Sequence, residues 1–203
     1  MTNGTLLYEE LLTEIKTYAE PDYAAFHKRL LKNEKLNVLG VRIPTLRKLA
    51  KKYKDCVPAL LTFPDEYYEV TFLKLQAAAF LPYGEFIEYV DKCVSIIDNW
   101  AACDCFVPKC IAKHREEFLE YLNGFMLAGG EYEQRFALTT LLHFYVEENW
   151  LKVIFSFVSE RANLQFYYVH MAAAWLIAEV LVKHYDRGVE FLKSGAMEVK
   201  THN

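Results

Sequence analysis

The chain has 203 residues, of which 53% are apolar and only 8 are glycine and 6 proline. This composition excludes a disordered polypeptide and a turn-rich all-β protein, and the length suffices to bury a core. The net charge of −4 argues at first sight against nucleic-acid binding. No apolar run reaches the roughly 18 residues of a membrane span, and the N-terminal stretch is too acidic for a signal peptide. We therefore expect a soluble, cytoplasmic protein without membrane contact.

Apolar residues recur at helical spacing along almost the entire sequence. The predicted helices are Thr5–Ala19, Tyr23–Leu31, Pro44–Tyr53, Glu69–Leu81, Glu85–Ile97, Arg115–Leu127, Tyr132–Val146, Trp150–Val158 and Val169–Tyr185. Residues that break helices mark the predicted joints: Pro21, Gly40, Pro64, Pro82, Gly84, Gly129, Gly130 and Gly188. These signals predict an all-α protein with short connections.

One segment of the chain is strongly basic. Between His27 and Lys54 there are ten basic residues and one acidic residue, Glu34, so this segment carries +9 and the remainder −13. Within the predicted helix Pro44–Tyr53, the apolar positions on one face are Leu46, Leu49, Ala50 and Tyr53. The candidate phosphate-binding residues of the segment are Arg42, Arg47, Lys48, Lys51 and Lys52. A solvated outer face is the simpler interpretation, but the charge asymmetry favours a phosphate backbone as partner.

The segment NWAACDCFV places an aromatic side chain beside a carboxylate. Trp100 and Asp104 are four residues apart, so a helix would put them on one surface. The predicted apolar stripe of this helix comprises Trp100, Cys103, Val107, Cys110 and Ile111, which leaves Asp104 at its border. Pro108 should bend the helix, because its ring clashes with the carbonyl of Asp104. The pair is therefore a candidate site for chemistry. The alternative interpretation is that Trp100 is a core residue, that Asp104 is a capping or solvated residue, and that Pro108 causes an ordinary kink.

The cysteines predict neither a disulfide framework nor a metal centre. There are five, an odd number that fits buried thiols in a reducing compartment. Cys110 and His114 are four residues apart and could share a zinc ion. Since the chain has no CxxC pair, and Cys103 and Cys105 would fall on opposed helix faces, we expect no metal site.

Two segments near the C-terminal end repeat each other weakly. EQRFALTTLLHFY, from Glu133, aligns with YVHMAAAWLIAEV, from Tyr168, at an offset of 35 residues. Repeats of this length in helical chains are typical of HEAT-like helix pairs that stack on one another. We therefore predict a curved solenoid, forming a single domain over residues 1–203, with a binding surface on its concave side.

Several segments occur together in the order found in one known family. They are FHKRLLKNEKLNVLGVRIPTLRKLAKKY from Phe26, LQAAAFLPY from Leu75, DNWAACDCFVPK from Asp98, EQRFALTTLLHFY from Glu133 and YYVHMAAAWLIAE from Tyr167. The chain resembles the AlkD-type DNA alkylation repair family, a set of HEAT-like repeat DNA glycosylases, over nearly its whole length. The motifs are weak singly and specific together.

The resemblance implies four site residues. In such proteins two tryptophans and one aspartate surround the deoxyribose of the damaged nucleotide, and by position these are Trp100, Asp104 and Trp175. A basic residue near the phosphates of the lesion corresponds to Arg135. Taken alone, Trp175 in its alanine-rich helix fits a core residue, and Arg135 fits a surface ion pair.

The implied reaction is excision of N3- or N7-alkylated purines from duplex DNA. Such a purine is already cationic and leaves readily, so the transition state chiefly needs stabilisation of an oxocarbenium-like sugar. A carboxylate and two indole faces can supply it, and the carboxylate can also orient the attacking water. No metal or organic cofactor is required, and we expect a monomer that binds alkylated or distorted duplex DNA.

Two other functions fit the same sequence. A non-catalytic relative would keep the basic groove and bind bent or branched duplex DNA without turnover. A protein-interaction scaffold would instead use the acidic remainder of the chain and its many tyrosines as an interface.

Overall fold

The computed structural model describes residues 3–196 and confirms the all-α prediction. Its α-helices are α1 (Asn3–Lys16), α2 (Pro21–Leu31), α3 (Ile43–Lys52), α4 (Val57–Leu60), α5 (Tyr68–Ala78), α6 (Tyr83–Ser95), α7 (Trp100–Cys105), α8 (Arg115–Ala128), α9 (Glu131–Phe144), α10 (Leu151–Ser156), α11 (Tyr167–Lys183) and α12 (Tyr185–Lys193). Short 3-10 and π segments and one isolated β-bridge complete the regular structure of these residues. No described helix is long and apolar enough to cross a membrane.

Internal contacts divide the chain into two compact units, Met1–Cys110 and Ile111–Asn203. The first unit contains helices α1 to α7, and the second contains α8 to α12. The single curved domain expected from the repeat pattern stays a prediction.

The core of the first unit is built around α5, which is buried along its whole length. Glu69, at the start of this helix, is fully buried, and its carboxylate accepts hydrogen bonds from the backbone N–H groups of Leu39, Gly40 and Val41 at 2.8–3.2 Å. Burial raises the pKa of Glu69, and these N–H groups partly offset the increase. The bonds fasten the chain just before α3 to the start of α5, so they fix where the basic helix begins.

Gly40 is required at the joint before α3. Its φ of +85° lies in the left-handed region, which favours glycine. A Cβ atom there would lie 2.3 Å from the carbonyl oxygen of Glu20 and 2.6 Å from the backbone nitrogen of Ala24. The close approach of the α2 start to this joint therefore depends on the missing side chain.

The second unit places the two repeated segments side by side. They form α9 and α11, which pack against each other. The Glu131 carboxylate accepts the N–H of Tyr168 at 2.7 Å, so the two helices begin next to each other. Two adjacent helices with the same orientation agree with the sequence alignment at an offset of 35 residues.

The helix is interrupted before Pro108 as predicted, but it ends there and does not bend, because α7 already ends at Cys105. The chain leaves the helix at Phe106, whose ψ is 88°, and it stays non-helical as far as Pro108. Pro108 has no N–H to donate to the carbonyl of Asp104, so a further turn would lack that bond. The predicted apolar stripe therefore does not continue through Val107 into the next segment.

Two predicted joints lie inside helices. Gly84 is in α6, and Gly188 is in α12, a helix that the periodicity did not predict. At Gly188 the reason is packing, since a Cβ atom would lie 2.7 Å from Cδ2 of Leu181. Glycine here permits close contact between neighbouring chain segments, which the sequence pattern cannot distinguish from a break.

Candidate functional site

Helix α7 carries the aromatic and carboxylate pair. Asn99 caps its start, and the Asn99 Oδ1 atom accepts the N–H of Ala102 at 2.9 Å. Trp100 and Asp104 are both half-buried, whereas the side chains between them are buried. The prediction that Asp104 lies at the border of the apolar face is confirmed. One helical turn separates the two side chains, so they share a partly accessible surface.

The far end of α7 is connected to two other helices of the first unit. Nε2 of Gln76, in α5, donates a hydrogen bond to the carbonyl oxygen of Cys105 at 2.6 Å. Burial raises the pKa of the Cys105 thiol, and the guanidinium of Arg47, which hydrogen-bonds that thiol, partly offsets the increase. The basic helix α3 thus lies next to the residue that follows Asp104.

The predicted faces of α3 are confirmed. Its buried side chains lie on one face: Leu46, Leu49 and Ala50. Its exposed basic side chains lie on the other: Arg47, Lys48, Lys51 and Lys52. Tyr53 follows the helix, is half-buried and donates its hydroxyl to Glu14 at 2.6 Å. The helix therefore presents a positive surface, as phosphate binding would require.

The basic candidates differ in their ionic partners. Arg42 pairs with Glu20 at 2.8 Å, and its guanidinium carbon lies 4.0 Å from the centre of the Tyr23 ring. Lys52 pairs with Glu14 at 2.7 Å, and the hydrogen bonds from Lys52 and Tyr53 lower the pKa of the Glu14 carboxyl. These two cations are already neutralised by protein carboxylates.

Lys48 and Lys51 have no ion pair with any residue between 3 and 196, and both side chains are exposed. An anionic ligand could therefore approach them without displacing a carboxylate. Of the five basic candidates in this segment, these two are the most available to a phosphate.

Three further basic residues lie at the end of α2. Lys28, Arg29 and Lys32 line an open concavity of about 500 Å³, together with Asn33 and Glu34. They belong to the basic segment recognised in the sequence but were not among its candidate phosphate ligands. Local charge density was the signal that could have selected them.

Arg135 is buried, with only 6% of its surface exposed. Its Nη1 atom donates to the carbonyl oxygen of Tyr168 at 2.6 Å, and its guanidinium carbon lies 5.8 Å from the centre of the Tyr168 ring. Arg135 therefore helps to join α9 to α11 and leaves little surface for a phosphate. Its proposed DNA contact stays a prediction.

Trp175 is 42% exposed, although its helix is rich in alanine. Neighbouring positions of α11 are buried, including Ala172, Ala173 and Leu176. The indole contacts His143 edge-on, with 6.3 Å between the ring centres. Sequence context alone suggested that Trp175 is a core residue, but the structure exposes it on an apolar helix.

The described range 3–196 contains no group of three or more histidine, cysteine or acidic side chains that could hold a metal ion. The five cysteines are all free thiols. The chemistry available on the surfaces described above is electrostatic and aromatic, from Asp104, the indoles and the basic residues.

Comparison with models of known protein families gives a match over most of the chain. Residues 11–202 match the sequence profile of a family described as DNA alkylation repair enzymes. None of the curated proteins compared with the chain matches it significantly. The profile spans both units and includes every candidate residue named above.

Proposed function

Since this chain belongs to the family of DNA alkylation repair enzymes, we propose that it is a DNA glycosylase that releases N3- and N7-alkylated purines from duplex DNA. The observation that carries the proposal is the surface of α7, where Asp104 and Trp100 are both partly accessible one turn apart. A carboxylate beside an indole suits a reaction in which positive charge develops on a sugar.

The alkylated purine supplies its own leaving-group activation. Alkylation at N3 or N7 makes the base cationic, so breaking the glycosidic bond returns the electron pair to a neutral purine. The deoxyribose becomes oxocarbenium-like in the transition state. A fixed negative charge stabilises this positively charged sugar more than it stabilises the sugar of the bound substrate. Water then forms the new bond to the sugar carbon and loses its proton to the solvent, and the proposed role of Asp104 includes orienting that water.

Trp175 is the second proposed aromatic contact to the deoxyribose. Its exposure supports this role, because the indole has apolar surface in contact with solvent that a bound ligand could bury. Arg135 is retained as a proposed phosphate contact, but its buried hydrogen bond to Tyr168 favours a structural contribution.

We expect Trp175→Ala to slow base release clearly while it lowers the stability of the protein only slightly. The side chain is 42% exposed, so truncation should cost well under the roughly 3–5 kcal/mol typical of a core tryptophan. Single-turnover release of 7-methylguanine and the melting temperature would be measured together. Val182→Ala is the control, because Val182 is 79% exposed on the same helix and should change neither value. A large drop in melting temperature with an unchanged rate would remove Trp175 from the site.

The DNA backbone is the proposed partner of α3. Alanine at both Lys48 and Lys51 should weaken binding to any duplex sequence and lower the slope of log affinity against log salt by roughly 0.9 per residue. Alanine at both Arg42 and Lys52 should have a smaller effect, because each of these cations would first have to leave its carboxylate.

The two double variants remove the same charge, so they control for each other. Binding to a fluorescent duplex would be titrated at several salt concentrations. Equal slopes in both variants would show that the ion pairs do not decide which residues meet phosphates. A parental slope in both would assign this face to solvent.

The test of the whole proposal is a base-release assay on duplex DNA that carries 7-methylguanine or 3-methyladenine. Release above the spontaneous rate supports a glycosylase. Steep salt-dependent DNA binding without release would indicate the non-catalytic relative, and no DNA binding would indicate the scaffold.

A further inference from the structure

The helix that carries Trp100 and Asp104 is too short to maintain its own geometry. α7 has 6 residues, and isolated helices shorter than about 12 residues are marginal in water because nucleation is costly. The position of the Asp104 carboxylate must therefore depend on contacts between α7 and the rest of the first unit, and these include contacts at the two ends of the helix.

The first end is held by a buried amide. Asn99 is fully buried, and its Oδ1 atom accepts the N–H of Ala102 at 2.9 Å. Its Nδ2 atom donates to Oδ1 of Asp98 at 2.8 Å, which fixes the orientation of the amide. This is an ordinary capping interaction, and it sets where the helix begins.

The second end would otherwise leave a carbonyl group without a helical partner. The chain leaves the helix after Cys105, so the Cys105 carbonyl does not accept the hydrogen bond that a backbone N–H one turn later would donate in a longer helix. Gln76 supplies the missing donor at 2.6 Å from α5, the helix at the centre of the unit. Gln76 itself is only 8% exposed.

From this geometry we propose that Gln76 is a positioning residue for Asp104, and that it sets the rate of base excision by fixing the end of α7 to α5. The inference rests on the proposed glycosylase function. Gln76 is buried and acts through the backbone at Cys105, so it should affect the catalytic step and leave DNA binding unchanged. A displacement of about 1 Å in a catalytic group can cost roughly 10²-fold in rate.

The test uses the full chain with Gln76→Met, which keeps the length of the side chain and removes the donor. Single-turnover release of 7-methylguanine should fall about tenfold to a hundredfold, while the Kd for the same duplex stays at the parental value. Gln76→Glu is the second variant. Its protonated carboxyl can donate to the Cys105 carbonyl and its carboxylate cannot, so its rate relative to the parental protein should recover as the pH falls.

Thr71→Val is the matched control. Thr71 is on the same helix, is buried, and donates one hydrogen bond to Asp65 at 2.9 Å. Loss of this hydrogen bond in Thr71→Val should lower the melting temperature about as much as Gln76→Met does. The rate of base release should not change at a temperature where both variants are folded. An equal loss of rate in the two variants, or a parental rate in Gln76→Met, would overturn the proposal.

Hydrogen exchange separates this inference from the function on which it rests. Backbone amides of residues 100–106 should exchange faster in Gln76→Met than in the parental protein or Thr71→Val. If the parental protein released no alkylated base, the glycosylase proposal would fail, and this measurement would still decide whether Gln76 holds α7. Unchanged exchange in this segment would overturn the role of Gln76 whatever the activity.

Discussion

Asp104→Asn should slow the release of 7-methylguanine by about 10²–10³-fold, the usual cost of losing one preorganised electrostatic contact. Asparagine keeps the size and most of the packing of the side chain and removes its charge. In the proposed mechanism, the transition state then loses the negative group that stabilises the developing oxocarbenium ion. DNA affinity should stay the same or rise slightly, because the variant removes a negative charge from the surface that we propose meets the negatively charged DNA.

The rate would be measured in single turnover with excess protein, so that binding and product release do not limit it. Asp91→Asn is the control, since Asp91 is exposed on α6 in the same unit and its change alters the net charge equally. We expect the parental rate from this control. A folded Asp104→Asn variant that releases base as fast as the parental protein would exclude Asp104 from the mechanism.

Glu69→Ala should be the most destabilising of the substitutions considered. It removes the acceptor for the N–H groups of Leu39, Gly40 and Val41, and a buried donor left without a partner costs about 1–3 kcal/mol. The total loss should be roughly 3 kcal/mol or more in the free energy of unfolding. DNA binding should weaken as well, because these bonds fix the chain immediately before the basic helix α3.

Urea unfolding followed by circular dichroism would measure this loss. Glu69→Gln should cost less, because its remaining side-chain oxygen can still accept from Gly40 and Val41. It also provides a folded variant if Glu69→Ala fails to accumulate. Glu66→Ala removes an exposed carboxylate nearby and should change stability by no more than about 0.5 kcal/mol. Equal stability of Glu69→Ala and Glu66→Ala would show that the buried carboxylate does not hold the start of α3.

The local properties of the chain could be predicted from the sequence. Apolar spacing identified the all-α class and most helices, because helix formation depends on which side chains share a face within a few residues. The same reasoning predicted the buried and exposed faces of α3 and the border position of Asp104. The ordered motifs indicated the DNA alkylation repair family, which the profile match over residues 11–202 confirms.

Only the tertiary structure decided which of these residues are available to a ligand. Sequence context suggested a buried Trp175 and an exposed Arg135, and packing between α9 and α11 produced the reverse. Exposure depends on which distant segment covers a side chain, and no local pattern contains that information.

The same limit applies to charge and to the ends of helices. Glu14 and Glu20 neutralise Lys52 and Arg42 from other helices or joints, so the formal charge of the basic segment overstates its free cations. The end of α7 at Cys105 is held against α5 by Gln76, which is 29 residues away and supplies the donor that the helix lacks. The sequence by itself determined most of the helices, the charge pattern and the family, whereas long-range hydrogen bonds and ion pairs determined which cations are accessible and how the end of α7 is held.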